Sequence, residues 1–202
     1  MANGTQDAEA SEARTARRRG SRASETRTRL LDAAAEILVE EGGDALTARR
    51  VGERAGVKFQ LVHYYFTSMD DLVLELFRRG AQHSLSEFAR VSGENLSVQS
   101  LWGVTAEAYG GRQMAEFYAM ANHRPMLKQE IAQHIRRFRA AQLEVARAAL
   151  AAHAPNHPAP PEIVLLLATG LAQLVTQDVM FGVTEGHDET IAWFEKWLSS
   201  GG

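Results

Sequence analysis

Arg49 and Arg50 precede Gly56 in this chain, and Lys58, Phe59, Gln60, His63 and Tyr64 follow it. A helix, a tight glycine turn and a second helix carrying polar and aromatic side chains form the layout of a helix-turn-helix DNA reader. Other chemistry is thin. The chain has no cysteine, which excludes disulfides and thiolate metal sites. His153 and His157 have a metal-like spacing, but the prolines around them predict a loop, and no carboxylate cluster lies beside them. The glycines form neither a P-loop nor a dinucleotide fingerprint, and no Gly-x-Ser-x-Gly occurs. A catalytic reading has no residues to stand on, and no cofactor or metal is expected.

Charge is distributed unevenly. From Arg14 to Gln60 there are 11 Lys and Arg against 7 Asp and Glu, and from Leu61 to Gly202 there are 11 against 15. The overall charge of −3 averages over these regions, whereas phosphate binding depends on local charge. Residues 1–23 hold almost no large apolar side chain and are expected to be a disordered basic tail. Its Arg14, Arg17, Arg18, Arg19 and Arg22 either solubilise the chain or settle on DNA as a basic arm. No uninterrupted apolar run reaches the ~18 residues of a membrane span, and the N-terminus lacks a secretory apolar core. The expectation is a cytoplasmic protein with no membrane partner.

The elements that must position these residues are helical throughout, so the fold class is all-α, with about nine helices. A first helix is predicted from about Ser24 to Glu41, with Leu30, Leu31, Ala34, Ile37 and Leu38 on one stripe. Thr47 is a good N-cap for a second helix, about Ala48 to Ala55. Gly56 makes the turn, and a third helix spans about Phe59 to Tyr65. Ser68 and Asp71 resemble a capping box ahead of a fourth helix that ends near Val91, where Ser92-Gly93-Glu94-Asn95 breaks the pattern. Two or three helices are expected between Ser97 and Asn122. A long amphipathic helix follows from Pro125 to Ala152, with Leu127, Ile131, Ile135, Phe138, Leu143 and Leu150 near one face. The segment from Pro161 to Gly182 is apolar nearly all round, and Asp188 to Ser199 forms the last helix. A helix apolar on every side must be covered on every side. That predicts a homodimer through the last two helices; the alternative is a purely intramolecular core. The expected organisation is a tail (1–23), a DNA-binding domain (24–67) and a ligand-binding and dimerisation domain (68–202).

Leu46 to Val57, the aromatic run His63 to Phe66, the Ser68-capped helix and Leu72 resemble the TetR family of transcriptional repressors. The resemblance covers Leu30 to Leu76, with a helical body of matching order behind it. It implies that Thr47, Arg49 and Arg50 meet the DNA backbone and a base edge. Arginine suits guanine because its planar fork pairs with O6 and N7 together. It also implies that the helix carrying Lys58, Phe59, Gln60, His63 and Tyr64 reads bases. Lys58 replaces the usual Ser, removing an N-cap worth ~1 kcal/mol and adding a possible phosphate contact. Gln60 could address adenine. His63 stands where a phosphate-touching Tyr is usual, and Tyr64 beside it commonly touches DNA. Met69 replaces a frequent lysine, which implies a slightly shallower salt dependence. The bland readings are that Tyr64, Tyr65 and Phe66 are packing residues and that Arg50 is a plain solvated side chain.

The resemblance further implies an inducer site in the body, with ligand favouring a form that fits the operator poorly. Trp102, Tyr109, Met114, Phe117, Tyr118, Met120 and Met126 are large adaptable side chains suited to an organic ligand. Phe138 lies on the helix that follows, and His123, Asn122, Arg139 and Gln142 are polar candidates; ordinary core is the alternative for the apolar ones. The function expected is that of a ligand-responsive regulator, a repressor that binds a palindromic operator as a dimer and is released by a small hydrophobic effector. The rival is an all-α small-molecule binding or scaffold protein with a degenerate reader.

Overall fold

A computed structural model describes residues 23–94, 111–153 and 155–199. Among these residues the chain is all-α, with no strand. The Arg-rich tail, Trp102, Tyr109 and most of the Ser97–Asn122 stretch lie outside them. The described residues form two compact units that divide between Leu76 and Phe77.

In the first unit, α1 covers residues 23–40. Its apolar stripe is the core: Leu30, Ala34, Ile37 and Leu38 are fully buried, and Leu31 nearly so. Helix α2 is Ala48–Arg54, and the Thr47 hydroxyl caps it by accepting the Arg50 N–H at 3.3 Å. Helix α3 is Gln60–Tyr65. Val51 from α2 and Val62 from α3 are also buried in this unit, as are Phe66, Leu72, Val73 and Leu76. Helix α4, Met69–Glu94, opens on the expected cap, with the Asp71 N–H donating to Ser68 Oγ at 3.1 Å. The return bond goes one residue further back than in a standard capping box: the Asp71 carboxylate accepts the Thr67 N–H at 3.0 Å.

Helix α4 does not stop near Val91; it continues through Ser92 and Gly93 to Glu94. One glycine costs a helix about 1 kcal/mol relative to alanine, which is too little to end a helix already several turns long. The second unit adds α5 (Arg112–Ala121), α6 (Pro125–His153), α7 (Pro161–Met180) and α8 (His187–Ser199). Pro125 and Pro161 each open a helix, where a missing N–H costs nothing. Leu150, Val164, Phe194 and Leu198 join α6, α7 and α8 in one cluster. The loop before α7 carries His157, whose Nδ1 accepts the Ala159 N–H at 3.2 Å and whose ring meets Trp197 edge-on.

Candidate nucleic-acid interface and sensor core

The reader is built on a close backbone approach. A Cβ placed on Gly52 would lie 2.8 Å from Phe59 Cα and 3.0 Å from its nitrogen, so only glycine lets α2 and α3 come this near. Gly56, at φ 65°, makes the turn between them in a conformation that other residues rarely adopt. The Arg29 guanidinium bonds the Ala55 carbonyl at the end of α2, satisfying an acceptor the helix leaves over. Phe59 provides no side-chain cap for α3, as the loss of Ser at Lys58 implies; the Lys58 and Phe59 carbonyls instead accept from Leu61 and Val62 at 3.0 Å each.

Helix α3 has two faces. Val62 and Phe66 are buried, while Lys58, Phe59, Gln60, His63 and Tyr64 are exposed, Tyr64 to 76%. Tyr65 is half-buried and meets Tyr64 edge-on at 5.0 Å. Val57 is only half-buried, so the turn valine is less a core residue than Val51 and Val62. The Arg27 guanidinium lies 5.3 Å over the Phe66 ring and pairs with Glu75 at 2.5 Å, holding α1 to the chain beyond α3.

The arginines of α2 divide by their partners. Arg49, 84% exposed at its side chain, donates Nε to Glu53 at 2.9 Å, one turn along. Arg50 engages Glu41 with both Nε, at 2.9 Å, and a terminal nitrogen, at 2.5 Å. Arg54 reaches Glu36, Glu40 and Glu41 at 2.7–3.3 Å, and the Glu40 and Glu36 carboxylates hold its guanidinium above the ordinary arginine pKa. Carboxylates near a helix C-terminus are unfavourable against its dipole; Arg50 and Arg54 offset that at the end of α1. The two arginines thus tie α2 to α1, while Arg49 stays on the outer surface beside Lys58. Motif reading passed over Glu41, Glu53, Arg54 and Gly52. The signal was available as acidic residues gathered at the predicted end of α1.

The second unit brings Phe117 and Phe138 into one aromatic row. Phe77 meets Phe117 edge-on at 5.2 Å and His134 at 5.8 Å; Phe138 lies 5.6 Å from His134 and 5.2 Å from Phe88. His134 is 3% exposed, and its Nδ1 has no hydrogen-bond partner among the described residues. Burial, with Arg137 adding to it, pushes its pKa below the ordinary value of 6.5. Gln142 is fully buried. The buried stripe of α6 therefore runs through Leu127, Ile131, His134, Phe138, Gln142, Ala146 and Ala149, and the two polar residues on it are the signal that an apolar count misses. Tyr118 is 37% exposed, and burial of the rest raises its phenol pKa. Asn122 and His123 are exposed in the turn between Ala121 and Pro125, and Met126 and Arg139 are exposed on α6. Of the described ligand candidates, the structure brings together Phe117 and Phe138 and leaves Tyr118 and His123 outside that row.

Residues 30–76 match the family model described as bacterial regulatory proteins, tetR family. Comparison with curated protein sequences found no match. Among solved structures, a TetR transcription regulator from Haloarcula marismortui is similar at TM-score 0.70 and 16% identity, covering 88% of this chain and 98% of its own. A transcriptional regulator, FadR from Bacillus subtilis in complex with stearoyl-CoA, is similar at 0.64 and 16%, covering 86% and 98%. A protein from Saccharomonospora viridis in complex with choline gives 0.73 and 15%, covering 88% and 97%. The structural likeness shows a shared fold along most of the chain, and the matched segment is the helix-turn-helix built above. Residues 30–76 therefore carry the reader of the tetR family of bacterial regulatory proteins, on an all-α fold shared with these regulators along most of the chain.

Proposed function

We propose that the protein is a cytoplasmic repressor that binds a palindromic operator as a homodimer and leaves it when a small, mostly apolar effector binds the second unit. The observation that carries this reading is the outer row of α3, where Lys58, Gln60, His63 and Tyr64 are exposed beside Arg49 on a buried backing of Val62 and Phe66. Arg49 is the base-edge arginine, and Thr47, Lys58 and Tyr64 face phosphates. Arg50, held on Glu41, is the lesser contact.

Dimerisation is supported by α7. Ile163, Leu167 and Leu174 are each about half exposed at helical spacing, and Trp193 on α8 is 64% exposed. A second copy is the natural cover for such a row. The helix is also long and apolar enough to cross a membrane by length and composition. Its end residues, however, are engaged within the unit: Glu162 bonds Arg147 at 2.8 Å, and Asp178 bonds His187 at 3.2 Å. Phe117, Phe138 and His134 are the proposed effector walls, since the two neighbours bound to stearoyl-CoA and choline share this fold.

The test is a mobility shift on intergenic fragments beside the gene at low salt. Wild type retards one fragment; Arg49→Ala weakens that complex by roughly ten-fold or more, as loss of a bidentate arginine contact does, while Arg50→Ala has a smaller effect. Absence of a retarded band on every fragment, or affinity indifferent to Arg49→Ala and Tyr64→Ala, favours a binding protein with a degenerate reader.

A further inference from the structure

We infer that Phe59 determines specificity by contacting the C5-methyl group of a thymine in each half-site. The inference rests on the DNA-reading role of α3 and goes beyond it by assigning one base.

Phe59 sits at the N-cap of α3, the end at which reading helices of this layout approach base edges. Its ring is 48% exposed, and its backbone explains why. The Gly52 approach brings α2 against Phe59 Cα, N and Cβ, so the ring lies at the rim of the seam, with about half of it open to solvent. There it lines a hollow of about 500 Å3 with Val57, Arg49, Glu53 and Lys58. Val57 and Phe59 are its apolar lining, and Arg49 and Lys58 its cationic lining.

A phenyl ring neither donates nor accepts a conventional hydrogen bond, so it cannot use the donor and acceptor pattern of a base edge. The major groove of unmodified DNA offers one apolar feature, the thymine C5-methyl. Lys58 on one side and Gln60 on the other address phosphate and amide-accepting edges, which brings the ring between them to the groove floor.

The experiment begins with an operator selected from random DNA by the full-length protein. Each thymine is then replaced singly by deoxyuridine, which removes the methyl and leaves every hydrogen-bonding group in place. Affinity is measured at one fixed salt concentration. One thymine per half-site should lose about three- to five-fold in affinity without its methyl, the scale of burying one methyl-sized group. Phe59→Ala should bind the thymine and deoxyuridine operators equally, while Phe59→Leu should retain part of the preference. Melting curves of both variants check that the reader remains folded, and a preference kept by Phe59→Ala would exclude the assignment. If wild type binds the operator and no deoxyuridine substitution matters, the inference fails while the DNA-reading role stands. If no DNA is selected, both fall together.

Discussion

His134 is an imidazole on the inner stripe of α6, pressed against Phe77 and Phe138. Burial and then Arg137 lower its pKa from 6.5, so the unfolded chain takes up this proton at a higher pH than the folded one. The stability associated with neutral His134 is complete above about pH 6.5 and is lost as pH falls through the depressed folded value. Melting temperatures of wild type and His134→Gln, measured from about pH 7.5 to 5, should diverge, with wild type losing more on acidification; parallel curves would refute this. At this scale the sequence is only partly legible. The hydrophobic spacing of α3 predicts that Phe66 is buried, as it is. Nothing in the spacing of His134 and Gln142 announces that they lie on the inner stripe, because helical period alone leaves the edge of a face uncertain by a residue. The partners of Arg50 and Arg54 are legible only as an acidic cluster at the end of α1; which carboxylate each arginine takes depends on how the two helices pack.

Between elements, the seam of α2 and α3 is the most constrained contact of the first unit. Gly52→Ala would place a methyl against Phe59 backbone, which cannot give way as a flexible side chain could. The expected cost is about 1–3 kcal/mol, typical of overpacking. It should appear as faster amide exchange in α2 and α3 and as weaker operator binding. Unchanged exchange would show that the helices separate without penalty. Helix starts proved the most legible features: Thr47, Ser68, Pro125 and Pro161 each stand at the beginning of a helix. The end of α4 was less legible, because Gly93 weakens a helix without stopping it once the turns before it are formed.

For the molecule as a whole, the exposed row of α7 predicts the assembly. Leu167→Glu with Leu174→Glu should convert a dimer to a monomer in sedimentation while leaving the helical circular dichroism intact, since both side chains are about half exposed in the single chain. Operator affinity should drop with it, because two linked readers bind half-sites with an effective concentration that a monomer lacks. A wild-type monomer at micromolar concentration, or a variant that stays dimeric, would overturn the assembly. Caps, glycine turns and apolar spacing by themselves determined the all-α class and the starts of the described helices, because they are local properties of the chain, while the reader was marked by its resemblance to a known family at residues 30–76. Tertiary structure alone decided which arginine faces outward, that Phe59 stays half exposed at the seam, and that His134 and Gln142 are buried. Each of those depends on groups far apart in the chain meeting in space, which no local pattern encodes.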